Sequence, residues 1–197
     1  MRVGIGGPVG SGKTTLVAEL CARLRDRFEV AVVTNDVNAQ EDARLLARIG
    51  ALPEDRIIGL DAGNCPHTTI GDDATMNLAA VDALIARHAG LDAVFIEGGD
   101  DLGDSTFDPE LTDLVIYVVD VAAGEKAARR GSPGIAESDL LVINKSDLAP
   151  AVGVSLMNLE RDAISVRQDR PYVFTDLKGG DGVERVAAFV IEQGMLE

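Results

Sequence analysis

The chain has few aromatic and few basic residues. It contains no tryptophan, five phenylalanines and two tyrosines among 197 residues, so its core must be aliphatic, packed from Val, Ile, Leu and Ala. Two cysteines cannot build a disulfide framework and suit a reducing compartment. Eighteen Lys and Arg stand against 33 Asp and Glu, a formal net charge of −15. Nucleic acid and anionic membrane both need a basic surface, so neither is expected as the main partner. No apolar run is long enough to span a bilayer and no secretory leader precedes the first strand pattern, so the expected location is cytoplasmic. Internal repeats, low-complexity tracts and Pro/Gly/Ser linkers are also missing, and residues 1–197 read as a single domain large enough for a real core.

What is present begins at the N-terminus. Residues 2–6 read as a short apolar strand that runs into Gly7-Pro8-Val9-Gly10-Ser11-Gly12-Lys13-Thr14, which matches G-x-x-x-x-G-K-[ST] at each fixed position. Thr15 and the apolar pattern after it have helical spacing. Strand, glycine loop and helix together make a phosphate site: the glycines let backbone N–H groups converge on phosphate oxygens, and the helix N-terminus adds partial positive charge. Lys13 can reach the β- and γ-phosphates, and the Thr14 hydroxyl can bind Mg²⁺.

The rest of the chain alternates. Helical patterns over 13–28, 41–49, 74–87, 156–166 and 183–193 are interleaved with strand patterns over 30–34, 56–60, 93–97, 114–120, 140–144 and 172–175. In the third helix Met76, Leu78, Val81, Leu84 and Ile85 are expected to form the inner face. Continuous β-branched strands between helices imply an α/β fold: a three-layer, doubly wound, mostly parallel sheet of the P-loop NTPase type, with helices on both faces. Ligands of such sheets sit beyond the carboxyl ends of the strands, where this chain places Asn35-Asp36, Asp61, Glu97, Asp120 and Asn144-Lys145.

Asn144-Lys145-Ser146-Asp147 after an apolar strand is a guanine reader. A carboxylate there accepts two hydrogen bonds that guanine offers and adenine does not, and a carboxylate left unmet is costly. Asp176, in Thr175-Asp176-Leu177-Lys178, falls where a second base-contacting loop should lie. Asp36 and Glu97 end strands beside the phosphate loop. Acids there can hold Mg²⁺ and position an attacking water, so Lys13, Asp36 and Glu97 are the candidate catalytic residues, with Thr14, Asp36 and Glu97 the candidate Mg²⁺ ligands. Cys65-Pro66-His67 supplies two ligands for Zn²⁺ or Ni²⁺. One chain is two ligands short of a closed site. A two-fold dimer would supply four, tetrahedral for Zn²⁺ or square-planar for Ni²⁺. Cys21 falls in the apolar pattern of the first helix, and His88 near the end of the third is expected to act as a cap or dipole partner.

Taken together these stretches resemble the urease accessory GTPases, the UreG family. The resemblance runs over nearly the whole chain: Gly6 to Thr14, Val33-Thr34-Asn35-Asp36 with Glu41-Asp42, Cys65-Pro66-His67-Thr68, Met76-Asn77-Leu78, Tyr117 to Ala122, Gly124-Glu125-Lys126, Pro133-Gly134-Ile135 and Ser138 to Lys145. It implies a GTPase of the class that includes MinD and the signal-recognition GTPases. Such a protein dimerises on binding GTP, holds nickel between protomers on the Cys-Pro-His pair, and delivers it to urease apoprotein with other urease accessory proteins. The chain departs from the family pattern at Gln40, Asn38-Ala39, Asp61, Asn64, Asp100 and residues 127–132, which suggests a divergent member. Asp100 stands where a glycine is expected near the γ-phosphate. Three other readings compete: a hydrogenase nickel-insertion GTPase, a non-cycling nucleotide-dependent scaffold, and a small-molecule P-loop kinase.

Overall fold

The computed structural model describes residues 1–35, 39–60, 74–98, 107–122 and 132–195. Seven strands form one sheet: β1 (Arg2–Gly6), β2 (Val30–Thr34), β3 (Ile57–Gly59), β4 (Ala93–Glu97), β5 (Leu114–Asp120), β6 (Leu140–Asn144) and β7 (Tyr172–Phe174). Their order is β3-β2-β4-β1-β5-β6-β7 and every pairing is parallel. The expectation of a mostly parallel sheet therefore sharpens to a wholly parallel one. From β1 the chain winds first towards β2 and β3, then crosses to β5, β6 and β7. The winding direction reverses at β1, and that switch point is where open α/β sheets bind ligands.

The helices are α1 (Lys13–Leu24), α2 (Ala39–Arg48), α3 (Thr75–Arg87), α4 (Pro133–Glu137), α5 (Leu156–Arg167) and α6 (Val183–Val190). Strand alternation divides the core. Val3, Ile5, Val32, Phe95, Ile116, Val118 and Val142 face one layer, where Leu16, Leu20 and Cys21 of α1 and Val186 and Val190 of α6 meet them. On the opposite face Val33, Val94 and Ile96 pack with Val81 and Leu84 of α3, and Tyr117, Val119, Leu141 and Ile143 pack with Ile135, Leu159 and Ala163 of α4 and α5. Burying side chains such as Leu16, Leu20 or Ile5 contributes about 1.5–3 kcal/mol each. Among the described residues no helix is long and apolar enough to cross a membrane.

Three local expectations change. Helix α1 stops at Leu24 rather than at residue 28, and the N–H groups of Arg27 and Phe28 both close on the Leu24 carbonyl in the turn that follows. In α3 the inner face is Asn77, Ala80, Val81 and Leu84, whereas Met76 and Ile85 are about half exposed. The short α4 has no counterpart in the sequence pattern; Pro133 at its start and Gly134 packed against the Tyr117 ring fix it in place. His88 does end α3: its N–H donates to Leu84 O at 2.8 Å, and its ring Nε2 lies 3.0 Å from Asp55 O.

Candidate nucleotide site

The loop between β1 and α1 is shaped by glycine. Gly7, Gly10 and Gly12 have φ of 141°, 73° and 109°, backbone that an L side chain rarely adopts. A Cβ on Gly7 would lie 2.0 Å from Val118 O, and one on Gly12 would lie 2.4 Å from Asn144 Nδ2. The loop is therefore pressed against the ends of β5 and β6. At Gly10 the same position opens into space. Helix α1 starts at Lys13 with no side-chain cap, which leaves its first N–H groups and their partial positive charge directed at the loop. Lys13 is buried and folds back, its Nζ donating to Gly7 O at 2.9 Å and Pro8 O at 3.3 Å.

Two more strand ends close the site. Asn144, at the end of β6, is 4% exposed. Its Nδ2 donates to Ser11 O at 2.8 Å, while its Oδ1 accepts from Thr175 Oγ1 at 3.2 Å and Leu177 N at 3.1 Å. One side chain thus ties the phosphate loop to the loop after β7. Lys145 adopts a left-handed backbone, φ 61°, and its Nζ donates to Gly10 O at 2.7 Å and to Asp120 Oδ2 at 3.2 Å. Glu97, buried at the end of β4, accepts from Thr14 Oγ1 at 2.5 Å.

These elements enclose a cavity of about 620 Å³, within the range of small-molecule sites. Val9, Gly10, Gly12, Lys13, Thr14, Thr15, Glu97, Asn144, Lys145, Asp147 and Asp176 line it, joined by Leu148, Leu177 and Lys178. Residues from four separate strand ends, predicted from local motifs, therefore meet at one place. Gly7, Pro8 and Ser11 stand behind the lining as the frame of the loop. Three lysines, Lys13, Lys145 and Lys178, and three acids, Glu97, Asp147 and Asp176, line this cavity in a chain of net charge −15. The hydroxyl of Thr14 beside the Glu97 carboxylate is a hard oxygen pair of the kind Mg²⁺ takes.

Sequence reasoning gave Asp120 no role, yet it holds the lysine that clamps the loop. The parallel register sets Asp120 opposite Asn144 and so beside Lys145, a neighbour that no local pattern gives. Gln40 lies on α2 with its Nε2 donating to Gly59 O at 2.9 Å. Asp36, Cys65, His67 and Asp100 lie outside the described residues. Among the described residues no group of three or more His, Cys, Asp or Glu is placed to hold a metal.

Comparison with solved structures agrees with this architecture. The hydrogenase maturation factor HypB from Archaeoglobus fulgidus superposes with a TM-score of 0.75 at 24% identity, covering 98% of this chain and 89% of that one. HypB from Helicobacter pylori in complex with nickel gives 0.76 at 21% identity, over 97% and 85%. A GTPase in apo form from Pyrococcus abyssi gives 0.56 at 16% identity, over 98% and 97%. At these identities the likeness establishes the fold. The family model described as "CobW/HypB/UreG, nucleotide-binding domain" matches residues 1–174, and the chain, with its phosphate loop and Asn144-Lys145-Ser146-Asp147 on one cavity, belongs to that family.

Proposed function

We propose that the chain is a GTP-binding, GTP-hydrolysing metallochaperone of the cytoplasm that carries nickel to an apoenzyme. The observation that carries the nucleotide half is the convergence of Lys13, Thr14, Asn144, Lys145 and Asp147 on one cavity. In this reading the N–H groups of the loop from Gly7 to Thr15 bind the phosphates and Lys13 leaves the Gly7 and Pro8 carbonyls for them. Asp147 reads guanine, and Asp176 lies at the base edge. Mg²⁺, when bound, supplies charge neutralisation at the phosphates; Thr14, Glu97 and Asp36 are the residues that would hold it. Lys13, Asp36 and Glu97 serve hydrolysis, which is slow in the isolated chain and stimulated by a partner.

The nickel half rests on family membership and on Cys65-Pro66-His67. Two chains would each supply Cys65 and His67 to one shared ion, so that a homodimer formed with GTP completes a four-ligand site. The extended resemblance favours urease as client, reached with other urease accessory proteins. The likeness to two HypB folds favours a hydrogenase as the alternative client. Gln40 and Asp100 motivate the reading in which the protein binds nucleotide without cycling. Equilibrium dialysis of nickel against the chain loaded with GDP or with a non-hydrolysable GTP analogue tests the proposal. Nickel is expected to bind with the analogue and to be lost in Cys65→Ala; equal stoichiometry in the variant would refute it.

A further inference from the structure

The loop between β1 and α1 is held unevenly. Its base is wedged, with Gly7 against Val118 O and Gly12 against the Asn144 amide. Its tip is not. Val9 is 67% exposed, and a Cβ on Gly10 would meet nothing within 4 Å. A tip without packing needs another restraint if its N–H groups are to stay aimed at a ligand. Among the described residues the side chain that reaches Gly10 is Lys145, whose Nζ donates to Gly10 O at 2.7 Å.

The same ammonium donates to Asp120 Oδ2 at 3.2 Å. Asp120 ends β5, which stands between β1 and β6 in the sheet. The phosphate loop and the turn carrying Asp147 therefore leave from the strands on its two sides. Lys145 has φ 61° and ψ 37°, which puts a non-glycine residue in the left-handed region. Such backbone costs energy and persists where its surroundings hold it. Here it bends the chain out of β6 into the turn Ser146–Leu148, closed by Leu148 N donating to Lys145 O at 2.9 Å.

A carboxylate at position 120 is a costly choice on charge alone. The chain already has a net charge of −15, and this acid lies one ammonium away from the phosphate loop, where it repels an anion. What it supplies is position. Asp120 and Gly10 O fix the lysine from two sides, and a charge-assisted bond is stronger than a neutral one. Asp120 is not among the residues lining the cavity, so it acts through Lys145.

We infer that Asp120 is a positioning residue for nucleotide binding: through Lys145 it holds the tip of the phosphate loop and the turn carrying Asp147 in one fixed relation. The inference rests on the proposed function for its ligand, a guanine nucleotide.

Calorimetric titration with GDP separates position from charge, because the two give opposite signs. Loss of a negative charge alone would tighten GDP binding in Asp120→Ala. Loss of the clamp weakens it, by about tenfold. Asp120→Asn, which keeps an acceptor oxygen, falls between Asp120→Ala and wild type. Lys145→Met also weakens binding, and adding Asp120→Ala to it costs no further affinity, because the two side chains act as one unit. Unchanged or tighter GDP binding in Asp120→Ala overturns the inference, and so does a double variant whose loss is the product of the two single losses. Amide exchange on the nucleotide-free chain, where the clamp is already made, covers an Asp120→Ala variant that does not fold. In Asp120→Asn the peptide containing Ser11, whose N–H donates to Pro8 O at 3.2 Å, exchanges faster than in wild type; unchanged exchange overturns the inference. A wild-type chain that binds ADP as tightly as GDP would refute the guanine reading, and the same set of variants then decides the clamp with either nucleotide.

Discussion

Replacing Asn144 with alanine should loosen the nucleotide site before any ligand is present. Its side chain makes three hydrogen bonds, to Ser11 O at 2.8 Å, from Thr175 Oγ1 at 3.2 Å and from Leu177 N at 3.1 Å, all buried. A typical intramolecular hydrogen bond nets about 1 kcal/mol, and a buried partner left unmet costs about 1–3 kcal/mol. Three bonds at the lower figure give roughly 3 kcal/mol of destabilisation. Removing the side chain also takes away the group against which Gly12 packs. Equilibrium urea unfolding of the nucleotide-free chain reads the stability directly. Titration with a fluorescent guanine nucleotide reads the second consequence: binding must now re-form the loop contacts, and each 1.4 kcal/mol of lost pre-organisation is about tenfold in Kd. A variant within about 0.5 kcal/mol of wild type, the range of an ordinary surface substitution, with unchanged Kd, would refute the assignment of Asn144 as the tie between the two loops.

Further substitutions probe the site and its surroundings. Gly12→Ala places a Cβ at φ 109° and 2.4 Å from Asn144 Nδ2; left-handed backbone alone costs about 1–2 kcal/mol, and nucleotide binding measured by calorimetry should be lost. Asp147→Ala should drop the preference for GTP over ATP, on the order of 10⁴ for a site built to hydrogen-bond its ligand, towards unity in a competition assay. The Cys21 thiol, raised by burial from 9.0 to about 12, keeps in the folded chain a proton that the unfolded chain loses. Stability should therefore fall as pH rises above the unfolded value, by about 1.4 kcal/mol per unit until the folded value is reached. Denaturant midpoints followed through that window should show this slope, and Cys21→Ala should flatten it.

The strands were the most legible part of the fold. Val30–Thr34, Ala93–Glu97, Leu114–Asp120 and Leu140–Asn144 appear with the predicted bounds, because a strand buried on both faces needs an unbroken apolar run and the residues ending each run are polar. Faces of helices were harder to read. In α3 the hydropathy of Met76 and Ile85 points inward on a helical wheel, but the helix turns Asn77 to the core, since its partner Asn35 is 42 residues away in sequence and invisible to any local pattern. Arg167 shows the same limit: it is 2% exposed, its guanidinium donates to Ser138 O and Pro171 O at 2.8 Å, and burial, with the like charge of Arg170, lowers it to about 10. Composition places an arginine on the surface; only tertiary structure supplies the carbonyls that let it stay inside. The motifs of the nucleotide site were legible because phosphate and base recognition constrain short stretches. That Asn144 would spend its side chain on the protein, and that Asp120 would hold Lys145, depends on which strands are neighbours.

In the proposed function, nucleotide drives assembly of a nickel site shared by two chains. Light scattering of the full chain with GDP or a non-hydrolysable GTP analogue, each with Mg²⁺ and with or without Ni²⁺, tests it directly when bound nickel is counted in the same samples. The expected result is a dimer with the analogue and Ni²⁺, carrying about half a nickel per chain as a two-fold site requires, and a monomer with GDP. A monomer with no bound nickel under every condition would contradict it.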